Sequence, residues 1–365
     1  KFFKEKKKFF YKSEIINQTR WIWLGVLPYK RNNWRRYLNL FSFCANLSIQ
    51  LVVRIIFSFL NLDKPKIIIA SSPQLPAAFI TLLICKVFRV PMIFEVRDIW
   101  PQILIDMNNM SKESMTYKVL KKMERILYRH SELIIVLSKG CIKYIQKEGG
   151  RKIDYFPNYA NNDLFKYSTL PLEDEKFSSN RPFRIIYSGA HGLANDLENV
   201  VRAAYFLKDL PIEIILVGDG PEKNNLKNLA SGLENIIFQD PLPKKNMPDL
   251  LSSADAILIS LADVKLFQYG VSPNKLFDAY AVGRPVITTI GGIISEEVEN
   301  FNLGMAVTPG KPEELSNAIK KLFAKSRSER ITLSRNSRKM VDRFYSKDSI
   351  LKGYVDRIKK LIKKN

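Results

Sequence analysis

The sequence predicts an α/β protein made of two facing, Rossmann-like, doubly wound parallel-sheet domains. Three observations predict it. Short, continuous apolar runs alternate with longer helical segments. Glycine turns follow several of those runs. One polar, aperiodic stretch interrupts the series near its middle. Continuous runs fit strands buried on both faces of a parallel sheet, and strand–helix alternation fits an open α/β fold.

In chain order the expected strands are 66–70 (KIIIA), 91–95 (PMIFE), 133–137 (LIIVL) and 153–156, then 183–187 (FRIIY), 212–217 (IEIILV), 235–238, 256–260 (AILIS) and 285–288. Helices are expected at 114–130, 197–208 and 312–324, and the basic tail 327–365 reads as helical. Residues 158–181 (NYANNDLFKYSTLPLEDEKFSSNR) lack any periodicity and read as a hinge. The expected domains are therefore 1–157, 158–345 and a C-terminal basic helix at 346–365 able to pack back on the first domain.

The segment 41–60 (FSFCANLSIQLVVRIIFSFL) has fourteen apolar residues of twenty, and Ser42, Asn46, Gln50, Arg54 and Ser58 form one polar stripe at four-residue spacing. Its length suits a membrane span. The central Arg54, however, would cost about 2.5–3.5 kcal/mol in a bilayer. The expectation is a crossover helix packed on the sheet, with a seat in the membrane interface as the alternative.

Composition narrows the function. Hydrophobic residues make up 46% and charged residues 26% of 365, which excludes a disordered chain or a fibre. Three scattered cysteines, Cys44, Cys85 and Cys141, exclude a disulfide framework, and two histidines exclude a His-based zinc site. No P-loop and no GxGxxG fingerprint occur. The 58 basic residues exceed the 36 acidic ones by 22, and residues 1–157 carry a net +17 of that excess. The first part is thus suited to an anionic partner such as a membrane surface. The opening KFFKEKKKFFYK lacks the apolar core of a signal peptide.

Four stretches carry chemistry. Gly189-Ala190-His191-Gly192 turns directly from a strand toward a helix, where backbone N–H groups can meet an anion. Gly218-Asp219-Gly220-Pro221 follows the next strand, with Pro221 expected at a first helical position. In Ser272-Pro273-Asn274-Lys275, Pro273 is expected to start a helix and Ser272 to cap it. Lys275 then opposes the helix dipole, which an anionic ligand would explain. Asp278 shares its face; a diphosphate with a neighbouring sugar would use both groups, and an internal Lys275–Asp278 ion pair is the plain alternative. Finally, Arg97 and Asp98 stand at the carboxyl end of a strand, where open α/β sheets bind ligands.

Together with LPYKRNNWRRYLNLFSF (27–43), IIIASSPQ (67–74), IFEVRDIWPQ (93–102), IIYSGAHGLANDLENVVRAA (185–204), LVGDGPEKNNL (216–226) and GVSPNKLFDAYAVGRPVI (270–287), these stretches resemble family 4 of the GT-B retaining glycosyltransferases. The likeness extends to the branch of bacterial O-antigen and capsule synthesis that includes N-acetylfucosamine transferases. It implies a second domain that binds a nucleotide-diphosphate sugar, usually UDP-linked, and a first domain that takes a polyprenyl-diphosphate-linked saccharide at the cytoplasmic face of the membrane. The resemblance places Gly189, His191, Gly192, Gly218, Ser272, Pro273, Asn274, Lys275 and Asp278 at the donor, with Arg97, Asp98 and Lys275 as catalytic candidates. Gly270 stands where the family has the first of two glutamates. No metal, cofactor or nucleic acid is expected. Relatives begin with a strand and a Gly-rich turn that residues 1–19 do not supply, so the first domain is expected to be N-terminally incomplete. A nucleotide-sugar epimerase of the same architecture and a truncated, non-catalytic, membrane-associated relative stay open.

Overall fold

The computed structural model describes residues 10–28, 34–60, 65–72, 74–107, 109–167 and 181–364. Most of the basic opening and residues 168–180 of the expected hinge lie outside these.

Two parallel sheets organise the chain. The first runs β3 (Ile68–Ser71), β4 (Met92–Val96), β5 (Leu133–Val136) and β6 (Ile153–Tyr155), in that order. The second contains β7 (Phe183–Ser188), β8 (Ile212–Val217), β9 (Ile236–Gln239), β10 (Ala256–Ile259), β11 (Val286–Thr288) and β12 (Gly304–Ala306), ordered β12-β11-β10-β7-β8-β9. All neighbours in both sheets are parallel. The described residues thus form two Rossmann-like α/β halves, as the sequence predicts.

The chain winds outward from β7 through β8 to β9, then returns to the other side of β7 for β10 to β12. The strand order therefore reverses between β7 and β10. Helices cannot cover both strand ends at such a point, and a crevice forms there.

The apolar runs fill the core as their lack of alternation requires. β5 and β10 are buried at every residue. Ile185, Tyr187, Ile214 and Leu216 pack one face of the second sheet against Val200, Ala204 and Ile319. Ile186, Ile215, Ile257 and Ile259 pack the other against Leu276, Phe277 and Tyr280.

Three strands were not expected. β12 is too short, at three residues, to stand out as an apolar run. β1 (Tyr11–Ile16) and β2 (Thr19–Leu24) form an antiparallel hairpin whose mixed composition does not fit the rule for buried parallel strands. Its turn uses Asn17 and Gln18 at positive φ (48° and 62°), as a two-residue hairpin loop demands.

The apolar segment near the N-terminus forms the helix Trp34–Leu60. It was expected on the sheet, but it packs chiefly on the helix Leu75–Val87 and also meets β2. The polar stripe explains this placement. Ser42 Oγ accepts from the Leu27 N–H (3.0 Å), and Asn46 Nδ2 donates to the carbonyls of Phe10 (2.5 Å) and Gly25 (3.0 Å). Arg54 lies over the Tyr11 ring at 5.7 Å. The stripe holds the hairpin, and Phe41, Ile49, Ile56 and Phe57 on the outer side stay exposed.

The C-terminal helix Lys347–Lys364 lies on the first sheet. Leu361 joins Ile93, Leu133 and Ile135, Tyr354 meets Phe156 edge-on at 5.2 Å, and Arg357 Nε binds the Asp154 carboxylate.

Candidate functional site

The site stands at the reversal between β7 and β10. Two turns leave the carboxyl ends of β7 and β8 in backbone contact. Gly189 N–H donates to the Val217 carbonyl (3.0 Å) and His191 N–H to the Asp219 carbonyl (2.9 Å). The approach excludes a side chain at Gly218, whose Cβ would fall 1.8 Å from the Gly189 carbonyl oxygen. A backbone lining of this kind lets a ligand come close to N–H donors.

After β10 and a short helical turn at Phe267–Gly270, the site helix begins at Asn274 and ends at Val282. Pro273 is its N-cap rather than its first residue, and no side chain caps it. The expected Ser272 cap is absent: the Ser272 carbonyl instead accepts from Asn158 Nδ2 at 2.9 Å. Pro221 likewise precedes its helix, which runs Lys223–Leu229 with Glu222 as N-cap.

Lys275 reaches from this helix start back to β7. Its Nζ donates to the Tyr187 hydroxyl (3.1 Å) and to Asn195 Oδ1 (3.4 Å), and it lies 4.2 Å from the centre of the Tyr187 ring. It would stand 3.2 Å from a Cβ at Gly189. No carboxylate pairs with it among the described residues, so the plain alternative of a Lys275–Asp278 ion pair is not realised. Burial without a counter-charge lowers the Lys275 pKa to about 8. Burial raises that of Asp278 to about 6, with Lys244 pulling the other way. A cation and a carboxylate three residues apart are thus partly desolvated, and neither forms a salt bridge among the described residues.

His191 is fully buried between Tyr187 and Phe238, and neither ring nitrogen has a hydrogen-bond partner among the described residues. Desolvation lowers its pKa, and the charges of Lys223 and Lys275 add to this against that of Asp219. Gly192 opens the short 3-10 turn Leu193–Asn195 that supplies Asn195. Tyr187 and Asn195 were not singled out from sequence. An aromatic residue near a strand's carboxyl end was the available signal for Tyr187.

Arg97 and Asp98 follow β4 in the first half. Ser72 shapes their turn: its Oγ accepts from the N–H groups of Arg97 (2.9 Å) and Asp98 (3.2 Å) and donates to the Asp98 carbonyl (3.1 Å). Both side chains reach the surface. Protein packed beside Asp98 pushes its carboxyl pKa up, against the Arg97 charge. The next residue, Ile99, lies 3.7 Å from a Cβ placed on Gly270. Val264, Leu266 and Phe267 share one cluster with Phe94, Val96 and Ile99. The two halves therefore meet where the β4 turn faces the segment leading into the site helix. Ser138 Oγ donates to the Tyr269 carbonyl (2.7 Å) across the same junction.

The family described as Glycosyl transferases group 1 matches residues 182–325. Probable glycosyltransferase WbjE of Pseudomonas aeruginosa is 23% identical over 240 residues, covering 61% of this chain and 58% of that protein. The putative colanic acid biosynthesis glycosyl transferase WcaI of Escherichia coli K12 is 23% identical over 96% of this chain and 86% of its own length. Among solved structures, sucrose-phosphate synthase of Thermosynechococcus elongatus superposes with a TM-score of 0.76 at 15% identity, covering 99% of this chain and 88% of that one. Anabaena HepE bound to UDP-glucose superposes at 0.63 and 18% identity, over 80% and 78% of the chains. These two likenesses show the fold. The architecture is thus that of the GT-B fold, and residues 182–325 match the group 1 glycosyltransferase family.

Proposed function

We propose that the chain transfers a sugar, with retention, from a nucleotide-diphosphate sugar, UDP-linked, to a polyprenyl-diphosphate-linked saccharide in bacterial surface-polysaccharide synthesis. The observation that carries the donor reading is Lys275: a half-buried ammonium without a counter-ion among the described residues, set at an uncapped helix start beside the Gly189 turn. An anion there would relieve the desolvation and satisfy the dipole together. The HepE structure with UDP-glucose supports the donor class, and the colanic acid name of WcaI supports the polymer class.

The departing diphosphate gains negative charge as the glycosidic bond breaks. Lys275, the amides at Asn274 and, within the turn Gly189–Gly192, the N–H groups not already donated to Val217 and Asp219 stabilise that charge as donors in place. Asp278 accepts from a sugar hydroxyl of the nucleotide. Asp98 is the candidate base for the acceptor hydroxyl, and Arg97 adds positive charge on the same side. The reaction needs no metal in this reading.

A peripheral seat on the cytoplasmic face of the membrane belongs to the same proposal. It is supported by the +17 of residues 1–157 and by exposed Trp21 and Trp23 on the hairpin. Within the long helix, Tyr37–Ser58 is long and apolar enough to cross a membrane. Each basic residue near an anionic surface contributes about 1 kcal/mol.

Calorimetric titration with UDP tests the donor site. Lys275→Ala and Asp278→Asn should each weaken binding by roughly tenfold or more, the range for a charge-assisted hydrogen bond. Wild-type affinity in both variants would remove the assignment.

A further inference from the structure

A cluster of three tyrosines and one glutamate lies on the opposite side of the site helix from Lys275. Glu297, on the helix Ile293–Asn300, accepts from the Tyr280 hydroxyl through Oε1 (3.1 Å) and from the Tyr345 hydroxyl through Oε2. The Tyr345 and Tyr155 hydroxyls are hydrogen-bond partners, and Tyr345 also packs on Phe277 edge-on at 4.8 Å and on Tyr280 at 6.3 Å. Each tyrosine comes from a different part of the molecule. Tyr280 is on the site helix, Tyr155 ends β6 of the first sheet, and Tyr345 belongs to the segment Val341–Tyr345 that leads into the C-terminal helix. The same segment is tied to the other chain crossing, because Ala160 N–H donates to the Tyr345 carbonyl at 3.0 Å.

Glu297 forms no salt bridge among the described residues. Desolvation raises its pKa, against the hydrogen bonds from Tyr345 and Tyr280 and the charge of Lys139, which lies 5.1 Å from the Tyr155 ring centre. Apolar residues of equal volume would fill such a place at no electrostatic cost, so a partly desolvated carboxylate is a poor choice for stability alone. What it adds is direction, since two hydroxyls must point at one group. The helix carrying Glu297 also touches the first half, where a Cβ on Gly140 would fall 2.6 Å from Ile293 Cδ1.

We propose that Glu297 is a positioning residue of the donor site. It joins Tyr280 of the site helix to Tyr345 and Tyr155 at the chain crossings, so the arrangement of the two halves sets where Lys275 and Asp278 stand. The inference rests on the donor reading above.

The test is a double-mutant cycle read by UDP titration, with urea unfolding recorded alongside. Contacting or jointly acting residues show coupling, whereas independent distant ones add. Glu297→Gln should weaken UDP about fivefold in the wild-type background and less than about twofold when Lys275 is already alanine. Tyr345→Phe, which keeps the ring packing, should follow Glu297→Gln and so guards against a folding defect. Unchanged UDP affinity in both variants, or equal losses in the two backgrounds, overturns the proposal, because a structural role alone moves only the unfolding midpoint. If Lys275→Ala itself binds UDP like wild type, the donor reading falls and this inference with it. If only the Glu297 and Tyr345 variants are silent, the donor reading stands and this inference alone fails.

Discussion

Lys275 has two opposite pH dependences, and their signs separate ligand binding from folding. In the free protein its pKa is about 8, so the ammonium is lost as pH rises through that value. A bound diphosphate favours the charged form and pulls the pKa back toward the ordinary value of about 10.4. UDP affinity should therefore fall above about pH 8, and binding there should take up a proton, a quantity that calorimetry in buffers of different ionisation enthalpy measures directly. Folding runs the other way. Between about pH 8 and 10.4 the unfolded chain holds a proton on this lysine that the native chain has lost, so this group makes stability rise with pH. Binding without proton uptake would show that Lys275 does not meet the ligand. Asp278, raised to about 6, sets the acid side: the carboxylate is lost below that pH, and a hydroxyl donor then loses its acceptor.

At the scale of elements, the two glycine turns act as one unit. Gly218 is needed because the Gly189 carbonyl occupies the place of its Cβ, and Gly220 because the His191 carbonyl does so at 2.3 Å. Gly218→Ala should push the β7 and β8 turns apart, cost at least about 2 kcal/mol and lower the urea midpoint. Because Lys275 and Asn195 reach the same turn, UDP affinity should fall with it. An alanine variant with native stability would mean that the turns are looser than their contacts indicate. The helix Trp34–Leu60 teaches a related lesson. Its four-residue polar spacing is visible in sequence, but the periodicity says only that one face is polar. The partner of that face, a hairpin held by Ser42, Asn46 and Arg54, depends on a fold that periodicity does not describe.

For the whole molecule, the C-terminal helix is the element that joins distant parts of the chain. Leu361, Tyr354 and Ile358 cover Ile93, Leu133 and Ile135 of the first sheet, more than 200 residues away in sequence. At about 1.5–3 kcal/mol for each large apolar side chain buried, a chain ended after Ser346 should lose several kcal/mol. It should also expose an apolar sheet face. A lowered melting temperature and new binding of a hydrophobic dye would show this, whereas an unchanged melt would mean the helix is dispensable. Gly140 is a second point of close fit between the halves, since its Cβ would lie 2.3 Å from the Tyr269 carbonyl oxygen.

The sequence by itself determined the sheets and the kinds of chemistry. Continuous apolar runs admit little but buried parallel strands, and all nine expected strands are present within one or two residues of their predicted ends. Gly189, Lys275 and Asp278 stood out because turn chemistry and an ill-placed charge are local properties, legible without a fold. Whether Lys275 and Asp278 would neutralise each other was not legible, because an i,i+3 spacing allows a pair without requiring one. Tertiary structure decided it: the reversal of strand order between β7 and β10 brings Tyr187 and Asn195 to Lys275, some 80 residues apart in sequence. Strand order is set by how whole faces pack, a sum over contacts between distant segments, and no local pattern encodes it.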